Sequence, residues 1–187
     1  TQAISAIKKF VKIKNNAHGY YHLGVFYDKK GDVRKARKFF DIGLKKDPDY
    51  VDLVIAKAEF LSKNNQKKNA IKFIDQYLSR AKPDEKIYGR PRDRMPTETE
   101  LKYDTLNRLY EVEETKVKIF LKMKKFVEAL KIVEDAITDF PKAHPYHNAP
   151  PTLYVLKSNV CYALEYDDAA YIALSNAFED IEWFNEL

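Results

Sequence analysis

Apolar and polar positions alternate along this chain with the spacing of helices rather than strands. Ala3, Ile4, Ile7, Phe10 and Val11 open it at intervals of three and four, opposite Lys8, Lys9, Lys12 and Lys14. The same period returns at Tyr20, Leu23 and Tyr27, and then around Phe40. These patterns predict helices over 17–30 and 33–46, with Gly31-Asp32 at the turn between them and Pro48 closing the second. Thr97-Glu98-Thr99-Glu100 has the spacing of a capping box, so a long helix should start near Glu98 and run to about Met123. Only 5 Gly and 8 Pro interrupt 187 residues, which argues against a turn-rich β fold.

The helical pattern itself recurs. Tyr20-x-x-Leu23-Gly24-x-x-Tyr27 is followed by Ala36-x-x-x-Phe40, Gly43 and Pro48. A shift of 34 residues carries Gly24 to Ala58, Tyr27 to Leu61, Ala36 to Ala70 and Phe40 to Ile74, keeping small with small and large with large, while Tyr77 stands where Gly43 predicts a small residue. Ala129, Val133, Ala136 and Pro141 repeat the second-helix pattern after an insertion. Tyr154, Ser158 and Cys161, then Ala170, Leu174 and Ala177, repeat the first-helix and second-helix positions together. Small residues are needed where two helices cross closely, and large ones fill the space around the crossing.

This pattern resembles the tetratricopeptide repeat, with Tyr20 where the family usually has Trp. The resemblance implies an all-α fold, an α-solenoid of about four helical hairpins in a single repeat domain over 1–187. It divides the chain into a leading helix at 1–16, repeat one at 17–50 and repeat two at 51–84. An inserted loop follows at 84–97, then repeat three at 98–141 with an extended first helix, and repeat four with a closing helix at 151–187. Pro141 to Pro151 reads as an extended linker, because it carries Pro145, Pro150 and Pro151 as well. One hairpin cannot bury its apolar face alone, so stacking is obligatory.

Charge refines the picture. Residues 1–96 hold 23 Lys/Arg against 11 Asp/Glu, and 97–187 hold 10 against 17, which divides the net +5 into +12 and −7. Such a dipole can orient a partner before contact, or draw one copy of the chain toward another. No run approaches the ~18 apolar residues of a membrane span. The lone Cys161 allows no internal disulfide. The compartment stays open: a soluble, cytoplasmic chain is weakly favoured over one exported or anchored through a parent segment ahead of Thr1.

Candidate chemistry is sparse. His18 and His22 share one helix face, but no Glu follows the first as in a zincin, and no third ligand has metal spacing. We expect no metal and no cofactor. There is no Gly-x-Ser-x-Gly, no phosphate-cradling glycine loop, and Cys161 sits at a packing position, so no motif supports an enzyme. Tyr88, Arg90, Arg92 and Arg94 make the 84–97 loop a possible contact for a partner or phosphate.

The resemblance also implies which residues line a concave groove. They are His18, Tyr21, Val25 and Asp28 in repeat one, and Asp52, Ile55 and Glu59 in repeat two. Glu114 and Lys118 follow in repeat three, and Val155, Asn159 and Tyr162 in repeat four, with His22 as a pH-sensitive contact beside them. The Lys and Asn of the family's carboxylate clamp are missing, because Tyr21 and Val25 hold their positions. The groove therefore suits a peptide or helix of a protein partner presenting apolar side chains with some Lys or Arg. The alternatives are RNA or another polyanion on the basic half, and charge-driven self-assembly into a homo-oligomer.

Overall fold

Each helical hairpin of this chain turns on one residue forced into the left-handed region. In the computed structural model these are Gly31 (φ 77°), Asn65 (60°), Lys124 (58°) and Glu165 (61°). The residue after each donates its N–H to the carbonyl five back: Asp32 to Tyr27 at 2.9 Å, Gln66 to Leu61 at 2.9 Å, Lys125 to Phe120 at 3.0 Å and Tyr166 to Cys161 at 2.9 Å. This bond satisfies a carbonyl that the ending helix would otherwise orphan. The same stop sign thus appears four times; Gly31 and Asn65 announce it by residue type, and Lys124 and Glu165 do not.

The structure describes residues 9, 15–81, 98–143 and 149–185, with side-chain environments over 15–81, 108–140 and 149–178. Most of the expected leading helix and the whole 84–97 loop, with Tyr88, Arg90, Arg92 and Arg94, lie outside these residues. Among the described residues there are eight α-helices and no strand. They are α1 (Ala17–Lys29), α2 (Val33–Lys46), α3 (Val51–Lys63), α4 (Lys67–Leu78), α5 (Glu98–Lys122), α6 (Phe126–Ala143), α7 (Pro151–Ala163) and α8 (Asp167–Asn185). The fold is all-α, built of solenoid-type helical hairpins. The chain gathers into two compact units, one ending at Val112 and the other starting at Glu113, so the division falls within α5.

In the first unit, Asn16 caps α1 by accepting from the Gly19 N–H at 3.1 Å, and Asp32 caps α2 through the Lys35 N–H at 3.0 Å. The α1–α2 crossing is close because Gly24 has no side chain: a Cβ there would lie inside the contact radius of the Phe40 ring. Phe40, 1% exposed, fills that notch and turns its other side to Phe60 of α3, ring centroids 5.4 Å apart. Burying a ring this completely contributes about 1.5–3 kcal/mol. Gly43 repeats the device one turn on, where a Cβ would come 2.8 Å from Leu53 Cδ2 of α3. Lys57 of α3 then pairs with Asp41 of α2 at 2.8 Å. Tyr77, where a small residue was expected, is buried on α4, and its hydroxyl finds no partner.

In the second unit, Val117 of α5, Ala129 and Val133 of α6, and Leu156 and Val160 of α7 form one buried cluster. Lys157 of α7 pairs with Glu134 of α6 at 2.9 Å. Counted from the start of each helix, this is the same pair of positions as Lys57 and Asp41. Two features differ from the sequence expectation. Helix α6 runs two residues past Pro141, so the linker starts later; proline in a last turn forfeits a single backbone bond, which a helix end tolerates better than its middle. Leu174, expected at a packing position, is 38% exposed, because no following helix covers it among the described residues.

Candidate functional site

Helices α1 and α3, the turn between α2 and α3, and the last part of α5 within the first unit bring one polar and aromatic cluster together. Tyr21 of α1 lies edge-on to Tyr50 of the turn (centroids 6.1 Å) and to His22 (5.0 Å). His18 lies edge-on to His22 at 4.5 Å and to Tyr50 at 6.2 Å. Asp52, in the first turn of α3, accepts from Arg108 of α5 at 3.2 Å, and Arg108 also donates to Glu111 at 2.6 Å. Glu59, exposed two turns further along α3, adds its field to that of Asp52 at the Tyr21 hydroxyl.

The hydrogen bonds in this cluster take their direction from Tyr50 and from the tautomer of His18. The Asp52 carboxylate can only accept, so the Tyr50 hydroxyl donates to it. The Tyr50 oxygen then accepts from His18 Nδ1, 2.8 Å away. A neutral His18 carrying its proton on Nδ1 has a bare Nε2, which accepts from His22 Nε2 at 3.1 Å. The chain therefore runs His22 to His18 to Tyr50 to Asp52, and Arg108 holds its far end.

Burial and then the Asp52 charge push the Tyr50 hydroxyl up to about 12. Burial, followed by Asp52 and Glu59, raises Tyr21 as well. Burial and then His18 lower His22, against a smaller opposing pull from Asp52. Each shift favours the neutral form of its group.

The structure thus brings together His18, Tyr21, His22, Asp52 and Glu59. Val25 and Ile55 are half-buried on α1 and α3. Asp28 is engaged by Lys63 at 3.2 Å, which ties the ends of α1 and α3 together. In the second unit, Glu114 and Lys118 form an i,i+4 pair at 2.5 Å on α5. Val155, Asn159 and Tyr162 are exposed along α7, Tyr162 at 74%. Ser62, one turn beyond Glu59 on α3, is buried.

Sequence reasoning missed Tyr50 and Arg108. Tyr50 precedes α3 and so falls outside any count along a helix. Arg108 lies on the extended first helix of repeat three, ahead of the groove positions Glu114 and Lys118. Asp52 carried the only readable signal: an acidic residue near an apolar face wants a cation, but nothing local says which.

Little here resembles a reaction centre. Burial pushes the Cys161 thiol up, away from the thiolate a nucleophile needs. Among the described residues, no group of three or more His, Cys, Asp or Glu is placed to hold a metal. No helix among them is long and apolar enough to cross a membrane.

Residues 17–50 match the sequence model of a family described as tetratricopeptide repeat. No curated protein matches the chain. Among solved structures it is similar to the crystal structure of MamA protein, at 17% identity over 89% of this chain and 92% of that one, with a TM-score of 0.33. It is also similar to a structure titled as a functional characterization of Pseudomonas aeruginosa PilF, at 17% identity over 86% and 76%, with a TM-score of 0.31. Both TM-scores are low, and the arrangement of the whole chain takes no argument from either.

Proposed function

We propose that this chain, whose residues 17–50 match the tetratricopeptide-repeat model, is a non-catalytic scaffold holding a peptide or helix of a partner protein. The contact surface is the face of α1 and α3. Stacked repeats of this kind serve in general as protein-interaction scaffolds. The observation that carries the finer reading is the cluster of Tyr21, Tyr50, His18 and His22 on an acidic floor of Asp52 and Glu59. Aromatic rims over carboxylates suit an apolar segment that also presents a Lys or Arg, which gains ring and carboxylate contacts together. Asp52, Tyr50 and Arg108 are ordered by one another, so the surface loses little side-chain entropy when a partner arrives.

Capture of partners from the native extract, repeated with Tyr21→Ala, Ile55→Ala and Glu59→Lys, tests this. The captured protein should be lost in each variant while far-UV circular dichroism stays unchanged. Undiminished capture by all three removes this face from the function.

A second reading rests on the other side of the first unit. Arg34, Lys38 and Lys45 of α2 and Lys68 and Lys72 of α4 are exposed. They would suit RNA or another polyanion. Binding would then weaken steeply with salt as counterions are released; a salt-insensitive or undetectable interaction removes this reading.

A further inference from the structure

The hairpins share one register, so equivalent rows of side chains can be compared directly. On α2 the row that faces the next hairpin is Arg37, Phe40 and Leu44. Arg37 lies over the Phe60 ring of α3 at 5.8 Å, and Phe40 packs on the same ring. On α6 the equivalent row is Leu130, Val133 and Ile137, and it packs against Leu156 and Val160 of α7. On α8 the row is Tyr171, Leu174 and Phe178, and these are 74%, 38% and 57% exposed.

On α8 these three positions are apolar and open, whereas Phe40 and Val133, at the middle of the two earlier rows, are buried. Asp167 stands one turn ahead of Tyr171 on the same row, with Asp168 beside it. Beyond Phe178 the helix sequence continues Glu179, Asp180 and Glu182. The row is therefore apolar with acid at its start, and the sequence that follows it is acidic as well. Two copies of α8 packed antiparallel on each other would set acid against acid. The charge asks for a helix with an apolar stripe and lysines.

We propose that the α8 row is a docking surface for a second copy of this chain, seated head to tail through its opening segment. That segment carries Ile4, Ile7 and Val11 at helical spacing, with Lys8, Lys9, Lys12 and Lys14 between and after them. Its chemistry matches the row in both apolar period and charge. Docking there is separate from the α1–α3 face, and either can fail without the other.

Sedimentation velocity of the full chain at low salt, across about 1–100 µM, reads the association directly. Concentration-dependent self-association is expected. Placing a charge in the apolar row, in Tyr171→Glu with Leu174→Glu, should weaken it at least about tenfold. Lys8→Glu with Lys12→Glu should do the same, and a synthetic peptide of residues 1–16 should return the wild-type chain to monomer. Circular dichroism of the α8 variant should be unchanged, because the residues replaced are already exposed. A monomer at the highest concentration overturns the proposal, as does an oligomer indifferent to the α8 variant. Association lost in the α8 variant, yet indifferent to the lysine variant and to the peptide, overturns it too, since α8 would then be pairing with something other than the opening segment.

Discussion

The first hairpin and the last are cut to one pattern and end in opposite states. In the first, Gly24 opens a notch, Phe40 enters it from α2, and Phe60 of the next hairpin seals the far side of the ring. In the last, Ser158 stands at the notch position and Leu174 at the position of Phe40, and Leu174 keeps 38% of its surface in solvent. The large residue of each repeat is two-sided: a small neighbour within the hairpin and a following helix are both needed to bury it. A repeat's stability thus belongs partly to the next one along.

The largest effect that separates these hairpins is truncation of the large residue. Phe40→Ala should cost about 3–5 kcal/mol, because it opens a cavity between three helices. Leu174→Ala should cost under about 1 kcal/mol, because water already reaches it. Urea unfolding followed by circular dichroism measures both, and equal costs would mean that Leu174 is as well packed as Phe40. Filling the notch comes next. Gly24→Ala gains helix propensity but drives a methyl into the Phe40 ring, for a net loss of about 1–3 kcal/mol. Ser158→Ala should change stability by less than about 0.5 kcal/mol.

The turns give a smaller contrast with a change of sign. Gly31→Ala places a side chain at φ 77° and should lose about 1 kcal/mol. Glu165→Gly relieves the same geometry at 61° and should be neutral or gain up to about 1 kcal/mol. A loss from Glu165→Gly would show that the Glu side chain contributes more than its backbone costs.

The smallest effect is in pH. His22 is held below its unfolded value near 6.5, chiefly by burial and then by His18. Its contribution to stability is therefore complete above about 6.5 and is lost as the pH falls through the folded value. Stability should decline on acidification through this window, and His22→Gln should remove that part of the slope. Glu113 pulls the other way. Burial raises its carboxyl, so its contribution is present at low pH and is lost as the pH rises through the folded value. The His22 component is read from the difference between wild type and variant; identical slopes would mean His22 does not sense folding.

The first hairpin could be read from the chain because steric demand there is written in extreme residue types. Gly24, Ala36, Phe40, Gly43 and Gly31 each hold a place where few alternatives fit. The later turns were illegible, because Lys124 and Glu165 tolerate left-handed geometry at a cost the surrounding hairpin absorbs. Tyr77 was out of pattern by size, yet the structure buries it. The candidate surface was half legible. Counting along α1 and α3 selected Tyr21, Asp52 and Glu59, because a helix has a fixed period. Tyr50 and Arg108 reach the same cluster from a turn and from a long helix, and no local spacing connects them to it.

The recurring Lys57–Asp41 and Lys157–Glu134 pairs have a consequence of their own. At the α2–α3 junction the ion pair sits beside a steric stop, Leu53 against Gly43. Sliding α3 by one helical turn, about 5.4 Å, would break both at once. The two stops obey different physics: raising the ionic strength slackens the attraction between Lys57 and Asp41 but leaves the clash of a displaced leucine untouched. Alignment of one helix on the next is thus insured twice, and brine or acid alone cannot let the stack creep out of step.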